Sequence, residues 1–198
     1  MQSKTQKLAN TAILTALSIV LSFVILYEMP MGGSVTLACM LPVMFVSLRY
    51  GITWGLGSAF VTALFQLLQA VMHANVFPYC ETGETLVICI LFDYICPFTL
   101  IGLAGLFRRV SVGRIRHFGA YVGILAVFVL RFFCHFVTGV AIWGQWAPEG
   151  MGKFLYSFIY NGSFLGIELV ITMILAVILI ESPQIGKYLA LDEDKKSA

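Results

Sequence analysis

The sequence predicts an all-α integral membrane protein, a single domain over residues 1–198 with six transmembrane helices and both termini in the cytoplasm. Three observations carry that reading. The chain is 60% hydrophobic and 11% charged, where a soluble domain carries about 25% charge. Apolar runs long enough to approach the roughly 20 residues that cross a bilayer core recur along it. The cations fall almost entirely on one side of those runs.

The six helices are expected at 8–27, 35–48, 54–71, 85–107, 118–140 and 154–180. The second is short. With six spans, Lys4, Lys7, Arg49, Arg108, Arg109, Arg114, Arg116, Lys187, Lys195 and Lys196 share one side. The other side holds Lys153 with Glu28, Glu81, Glu84 and Glu149. An excess of Lys and Arg marks the cytoplasmic face. The first run is too long for a cleaved signal peptide and lacks a small-residue cleavage site. A net charge of +2 does not suit a nucleic-acid partner.

The first helix carries Ala12 and Ala16, four apart, with Ala9 near the same face. Small residues let helices approach closely in lipid, so the pair serves packing within the chain or docking to a second membrane protein. EMPMGGSVT follows at 28–36. Pro30 and Gly32-Gly33 break any helix there. Gly32, Gly33 and Ser34 form a plain turn or a loop folding over a pocket mouth. Gln66, Gln69 and His73 share one face of the third helix. The loop 73–84 is a lid or a connector.

The fourth helix contains LFDYICPF. Asp93 sits inside an apolar run, at a cost of about 2.5–3.5 kcal/mol on insertion scales. Pro97 removes a backbone donor four residues later. Arg131 and His135, one turn apart on the fifth helix, offer Asp93 partners, and an Asp93–Arg131 pair that fixes packing is one reading. Glu168 is a second intramembrane acid. The richest stretch, RFFCHFVTGVAIWGQWAPEGMGKFLYSFIYNG at 131–162, adds Trp143, Trp146, Tyr156, Tyr160 and Asn161. At about 1.5 Å per residue, Asp93, His135 and Asn161 fall roughly 12, 8 and 10 Å below the outer ends of their helices. Polar groups from three helices thus converge at one level, which predicts an outward-facing pocket. Its indoles and phenols attract cations and stack on flat rings, and its carboxylate accepts from amino groups. The ligand class is small, flat, nitrogen-rich and cationic.

Other chemistries are poorly supported. The chain has no G-x-x-x-x-G-K-[ST] loop and no H-E-x-x-H, and Ser163 is not set in G-x-S-x-G. Cys39, Cys89, Cys96 and Cys134 lie in apolar runs, Cys80 lies in a loop, and no C-x-x-C occurs, so no metal site is expected.

MPMGGSVT, LFDY and the stretch 131–162 closely resemble the thiamine-specific S component of energy-coupling factor transporters, across nearly the whole chain. The resemblance implies an S-component bundle of six helices, without a cofactor, in the bacterial plasma membrane. It implies a transmembrane coupling protein and two cytoplasmic ATPases as partners, and thiamine, a thiazolium joined to an aminopyrimidine, as substrate. It points to Asp93, Tyr94, His135, Trp143, Tyr156 and Asn161 as ligand contacts, and to Ala12 and Ala16 as the face that meets the coupling protein. The chain departs from the pattern in places. The acid at 93 is Asp where some members have Glu. A Trp and a Glu near the first loop, and a Trp in the third helix, are replaced by the Gly32-Gly33-Ser34 and Thr62 neighbourhoods. The alternative is a self-sufficient secondary transporter, proton-coupled through Asp93 and His135, against which the lack of a visible internal repeat argues.

Overall fold

The computed structural model describes residues 3–73, 76–112, 115 and 117–191. Arg114, Arg116, Lys195 and Lys196 of the charge pattern lie outside them, as do Ala74 and Asn75 of the loop.

Helix α1 (Lys4–Ser22) starts on a capping box, Ser3 and Gln6 each accepting the other's backbone N–H. Its buried residues are hydroxylic: Thr11, Thr15, Ser18 and Ser22. Thr15 Oγ1 donates to the Thr11 carbonyl and is 2.7 Å from Ser58 Oγ, and Ser18 Oγ donates to the Cys39 carbonyl. Ile13, Leu17 and Val20 are exposed, the inverse of a soluble helix and the pattern expected where lipid is the solvent. Ala12 and Ala16 lie among the exposed residues.

The predicted first helix does not reach Tyr27. The chain straightens into β1 (Ile25–Glu28), which pairs antiparallel with β2 (Ser34–Thr36) in the register Tyr27↔Val35 and Glu28↔Ser34. A turn over Pro30–Gly32 joins them, and Gly32 takes φ 97°, a conformation open to glycine. The expected second helix likewise begins late. Val35 and Thr36 belong to the strand, and α2 runs only from Leu41 to Tyr50. Apolarity alone does not separate a short strand from a helix, and isoleucine and tyrosine favour strands. Leu41 to Leu48 are all buried, so α2 is a core element rather than a lipid-facing one.

Gly51, at φ 90°, ends α2 and lets α3 (Ile52–His73) start at once. Helix α4 (Gly83–Phe107) is opened by a Thr82/Thr85 capping box. It widens to π geometry over Ile90–Ile95, returns to α over Cys96–Thr99, and tightens to 3-10 over Leu100–Phe107. Pro97 explains the widening. It has no N–H to continue the ladder, and the Cys96 N–H reaches back to the Leu91 carbonyl. Helices α5 (Phe118–Ala141) and α6 (Lys153–Ile180) pack on one another, separated in sequence by a 3-10 turn at Trp143–Trp146. A short α7 (Pro183–Leu189) follows, capped by Ser182. Among the described residues, α3, α4, α5 and α6 are long and apolar enough to cross a membrane.

Helices α3 and α4 touch backbone to backbone. A Cβ at Gly102 would stand 2.5 Å from Gly55 C and Leu56 N, and Ser47 Oγ bridges the junction, donating to the Gly102 carbonyl and accepting from the Gly105 N–H at 2.9 Å. Gly102→Ala is therefore expected to destabilise the protein by about 1–3 kcal/mol, the usual cost of overpacking. An unchanged melting temperature in detergent would show that the close approach is dispensable.

Candidate substrate-binding site

One cavity opens between the hairpin, α4, α5 and α6, with about 730 Å³ of empty space when its open mouth is included. Asp93, Tyr94, His135, Trp143, Tyr156 and Asn161 all line it, and so do Gly32, Gly33 and Ser34. Ala12 and Ala16 are elsewhere, on the exposed side of α1.

Asp93 projects from the π segment of α4 and organises the wall. Its Oδ1 accepts from Thr138 Oγ1 at 2.5 Å and lies 3.0 Å from His135 Nδ1. Its Oδ2 accepts from the Trp143 indole N–H at 3.2 Å. One carboxylate thus holds both an imidazole and an indole in place. With Nδ1 turned to the carboxylate, His135 Nε2 is buried and has no hydrogen bond among the described residues. Its ring sits edge-on to Phe164 at 5.9 Å. Asn161 Nδ2 is within 3.2 Å of the His135 carbonyl, the Ser157 carbonyl and Ser157 Oγ, which ties α6 to α5 at this level.

An Asp93–Arg131 pair, one of the two readings of the sequence, does not form; Asp93 is occupied by His135, Thr138 and Trp143 instead. Arg131 is buried, its guanidinium 4.7 Å over the Phe98 ring and its Nη1 against Met40 Sδ. Glu168 accepts from the Thr36 N–H at 2.7 Å and from Thr36 Oγ1 at 2.6 Å. It anchors β2 to α6, a role that its place in an apolar run does not suggest.

Tyr160 is not among the contacts that the resemblance implies, yet it lines the cavity and holds the glycine turn. Its hydroxyl donates to the Pro30 carbonyl and accepts from the Gly33 N–H at 3.2 Å. The signal for it is spacing: Tyr156, Tyr160 and Phe164 recur every four residues and so share a face, and their rings follow one another at 5.9 Å. Val76 closes the wall from the other side. A Cβ on Gly32 would lie 2.7 Å from its Cγ2. The loop after α3 also packs inward: Phe77 meets Tyr94 at 5.8 Å, and Tyr79 meets Trp143 and Trp146 edge-on at 5.9 and 5.2 Å. Trp143 is consequently buried beneath these rings, 8% exposed, and does not stand open at the mouth. The expected polar face of α3 divides. Gln66 reaches the cavity, Gln69 accepts from Ser22 Oγ at 3.1 Å, and His73 is exposed.

Tyr160→Phe removes both bonds to the turn while keeping the ring. A neutral hydrogen bond contributes about 0.5–1.5 kcal/mol, so the variant is expected to keep its fold and to lose protection of the Gly32 and Gly33 amides in hydrogen exchange. Unchanged protection there would show that the hydroxyl does not hold the turn.

Fold and site together define a membrane protein that carries a small-molecule cavity, walled by aromatic faces and one hydrogen-bonded carboxylate. The family model described as thiamine transporter protein matches residues 8–186, and the chain belongs to that family, one of transporters rather than enzymes. It is 29% identical over 191 residues to thiamine transporter ThiT of Bacillus subtilis strain 168, covering 91% of this chain and 94% of that one. It is 34% identical over 103 residues to thiamine transporter ThiT of Lacticaseibacillus paracasei, covering 48% of this chain and 51% of that one. The solved structure of ThiT from Listeria monocytogenes has the same fold, with a TM-score of 0.73 at 23% identity over 95% of this chain and 99% of that one.

Proposed function

We propose that this chain is the high-affinity thiamine-binding subunit of an ATP-driven energy-coupling factor importer in the bacterial cell membrane. In this reading it crosses the membrane six times, counting α1 and the short α2, with both termini in the cytoplasm. The observation that carries the binding role is the wall built on Asp93. A carboxylate that fixes His135 and Trp143, beside Tyr94, Tyr156 and Asn161, supplies aromatic faces for a thiazolium and polar groups for an aminopyrimidine. Gly32, Gly33 and Ser34, held by Tyr160, serve as the lid.

Energy comes from partners in this reading: a transmembrane coupling protein and two cytoplasmic ATPases. The exposed Ala12 and Ala16 of α1 suit close approach by a helix of the coupling protein, because the buried face of α1 is taken up by Thr11, Thr15, Ser18 and Ser22. Ala16→Trp is expected to leave thiamine binding by the purified protein unchanged and to abolish uptake by cells. Loss of both together would place these alanines in internal packing.

The His135–Asp93 contact at 3.0 Å is what a proton-coupled secondary transporter would use, so the two readings need separating. Uptake measured in cells lacking the partner ATPases does so. Abolished uptake supports the importer, and uptake that persists and follows the proton gradient supports the alternative.

A further inference from the structure

The loop between α3 and α4 carries a thiol that meets a second thiol on α4, and the site described above uses neither. This loop turns back along α4 instead of standing clear of it. Val76 is buried with Cys89 and Trp143, and Cys80 packs against the same cluster. The contact of Phe77 with Tyr94 brings the loop down beside the first turns of α4. There the Cys80 and Cys89 side chains interact with one another. Helical side chains tilt toward the N-terminus of their helix, so Cys89 leans toward the loop. It lies six residues after Gly83, where α4 begins, a depth of about 9 Å along the helix.

The two thiols differ in access. Both are free, Cys89 fully buried and Cys80 half-buried. In the topology proposed above, this loop lies outside the membrane, away from the cytoplasmic reductants that keep thiols reduced. Cys80 is therefore the thiol that an external oxidant meets first, and Cys89 stands behind it.

We propose that Cys80 and Cys89 are an oxidisable pair whose disulfide ties the outer loop to α4 and fastens the Trp143 side of the cavity. The effect on the cavity rests on the functional reading above. The oxidant is a disulfide, either a small molecule or the active site of an extracytoplasmic thiol oxidoreductase. The Cys80 thiolate attacks one sulfur of it, the oxidant's S–S bond breaks, and the leaving thiolate takes up a proton. Cys89, deprotonated in turn, attacks the Cys80 sulfur of the mixed disulfide and expels the second thiol. Two electrons and two protons pass to the oxidant, which ends as two thiols. Tyr79, next to Cys80, packs edge-on to Trp143 and Trp146. With Cys80 held to α4, Tyr79 no longer lifts away from these indoles. The groups that face the ligand are unchanged, so entry and release slow together and affinity changes little.

The test starts with the purified chain, reduced, freed of reductant and incubated in detergent with oxidised glutathione. It is then unfolded, alkylated and mapped by mass spectrometry. Of its five cysteines, two should be lost to alkylation, joined as a Cys80–Cys89 link. Cys89→Ser should stop at a mixed disulfide between glutathione and Cys80, because no thiol resolves it, and Cys80→Ser should form no internal disulfide. Thiamine release, followed by tryptophan fluorescence, should slow roughly tenfold in oxidised wild type, within the range that closing a short loop contributes. Reduction should restore the rate, and oxidant should not slow release from Cys80→Ser. A persistent glutathione adduct on wild-type Cys80, a link to a different cysteine, or no reaction would overturn the pair. A tie that forms and leaves release unchanged would overturn its role at the cavity. Failure of the functional reading shows separately, as protein that forms the tie and binds no thiamine, and it takes the role at the cavity with it.

Discussion

Asp93→Asn is expected to weaken thiamine binding by about 1.5–3 kcal/mol, roughly ten- to a hundredfold. The substitution keeps shape and removes charge. The carboxylate accepts from Thr138 and Trp143 and faces His135 Nδ1. An amide has one acceptor oxygen and an NH₂ that donates, so either the Trp143 N–H meets another donor or Thr138 and His135 must give up donating to this side chain and accept from it. The bonds that orient the imidazole and the indole are then weakened or broken. Calorimetry gives the affinity, and the ligand-free melting temperature of the same sample separates binding from folding. Had Asp93 neutralised Arg131, the change would mainly have cost stability, about 3–5 kcal/mol for an orphaned buried cation. Near-wild-type binding with a collapsed melting temperature would refute the binding role of Asp93.

Trp143→Ala should have a comparable or larger effect on the whole protein. The indole is 8% exposed and packs against Tyr79 and Trp146 while donating to Asp93. Truncating a buried aromatic of this kind costs about 3–5 kcal/mol of stability. Removing a desolvated cation–π interaction costs a further 1–2 kcal/mol or so, about one decade of ligand affinity. Trp143→Phe keeps an aromatic face without the N–H, so it should bind thiamine between wild type and Trp143→Ala. Wild-type affinity in a folded Trp143→Ala sample would remove Trp143 from the ligand's surroundings.

The parts of the molecule that are legible in the sequence are those where one signal dominates. Long apolar runs locate α3, α5 and α6 closely, and polar residues inside such runs, Asp93, His135 and Asn161, point to positions that share one cavity. Where two physical signals compete, the sequence misleads. Residues 25–28 are apolar enough to extend a helix, but they pair with 34–36 because Pro30 and Gly32 turn the chain back. The start of α2 is obscured for the same reason. The partner of Asp93 is ambiguous because Arg131 and His135 are one turn apart and equally eligible by spacing. The π segment before Pro97 changes which residues of α4 face inward, and helical spacing assumes that no such change occurs. The role of Glu168 depends on a hydrogen bond to Thr36, 132 positions away, a link that no local pattern reports.

The most direct measurement is a titration of thiamine into the chain purified alone, without ATP or any other protein, followed by calorimetry and by tryptophan fluorescence. Saturable binding of one thiamine per chain, with quenching that is altered in Trp143→Phe, is the predicted result. No saturable heat or fluorescence change up to about 1 mM thiamine, where an interaction of only about −4 kcal/mol would register, would contradict it.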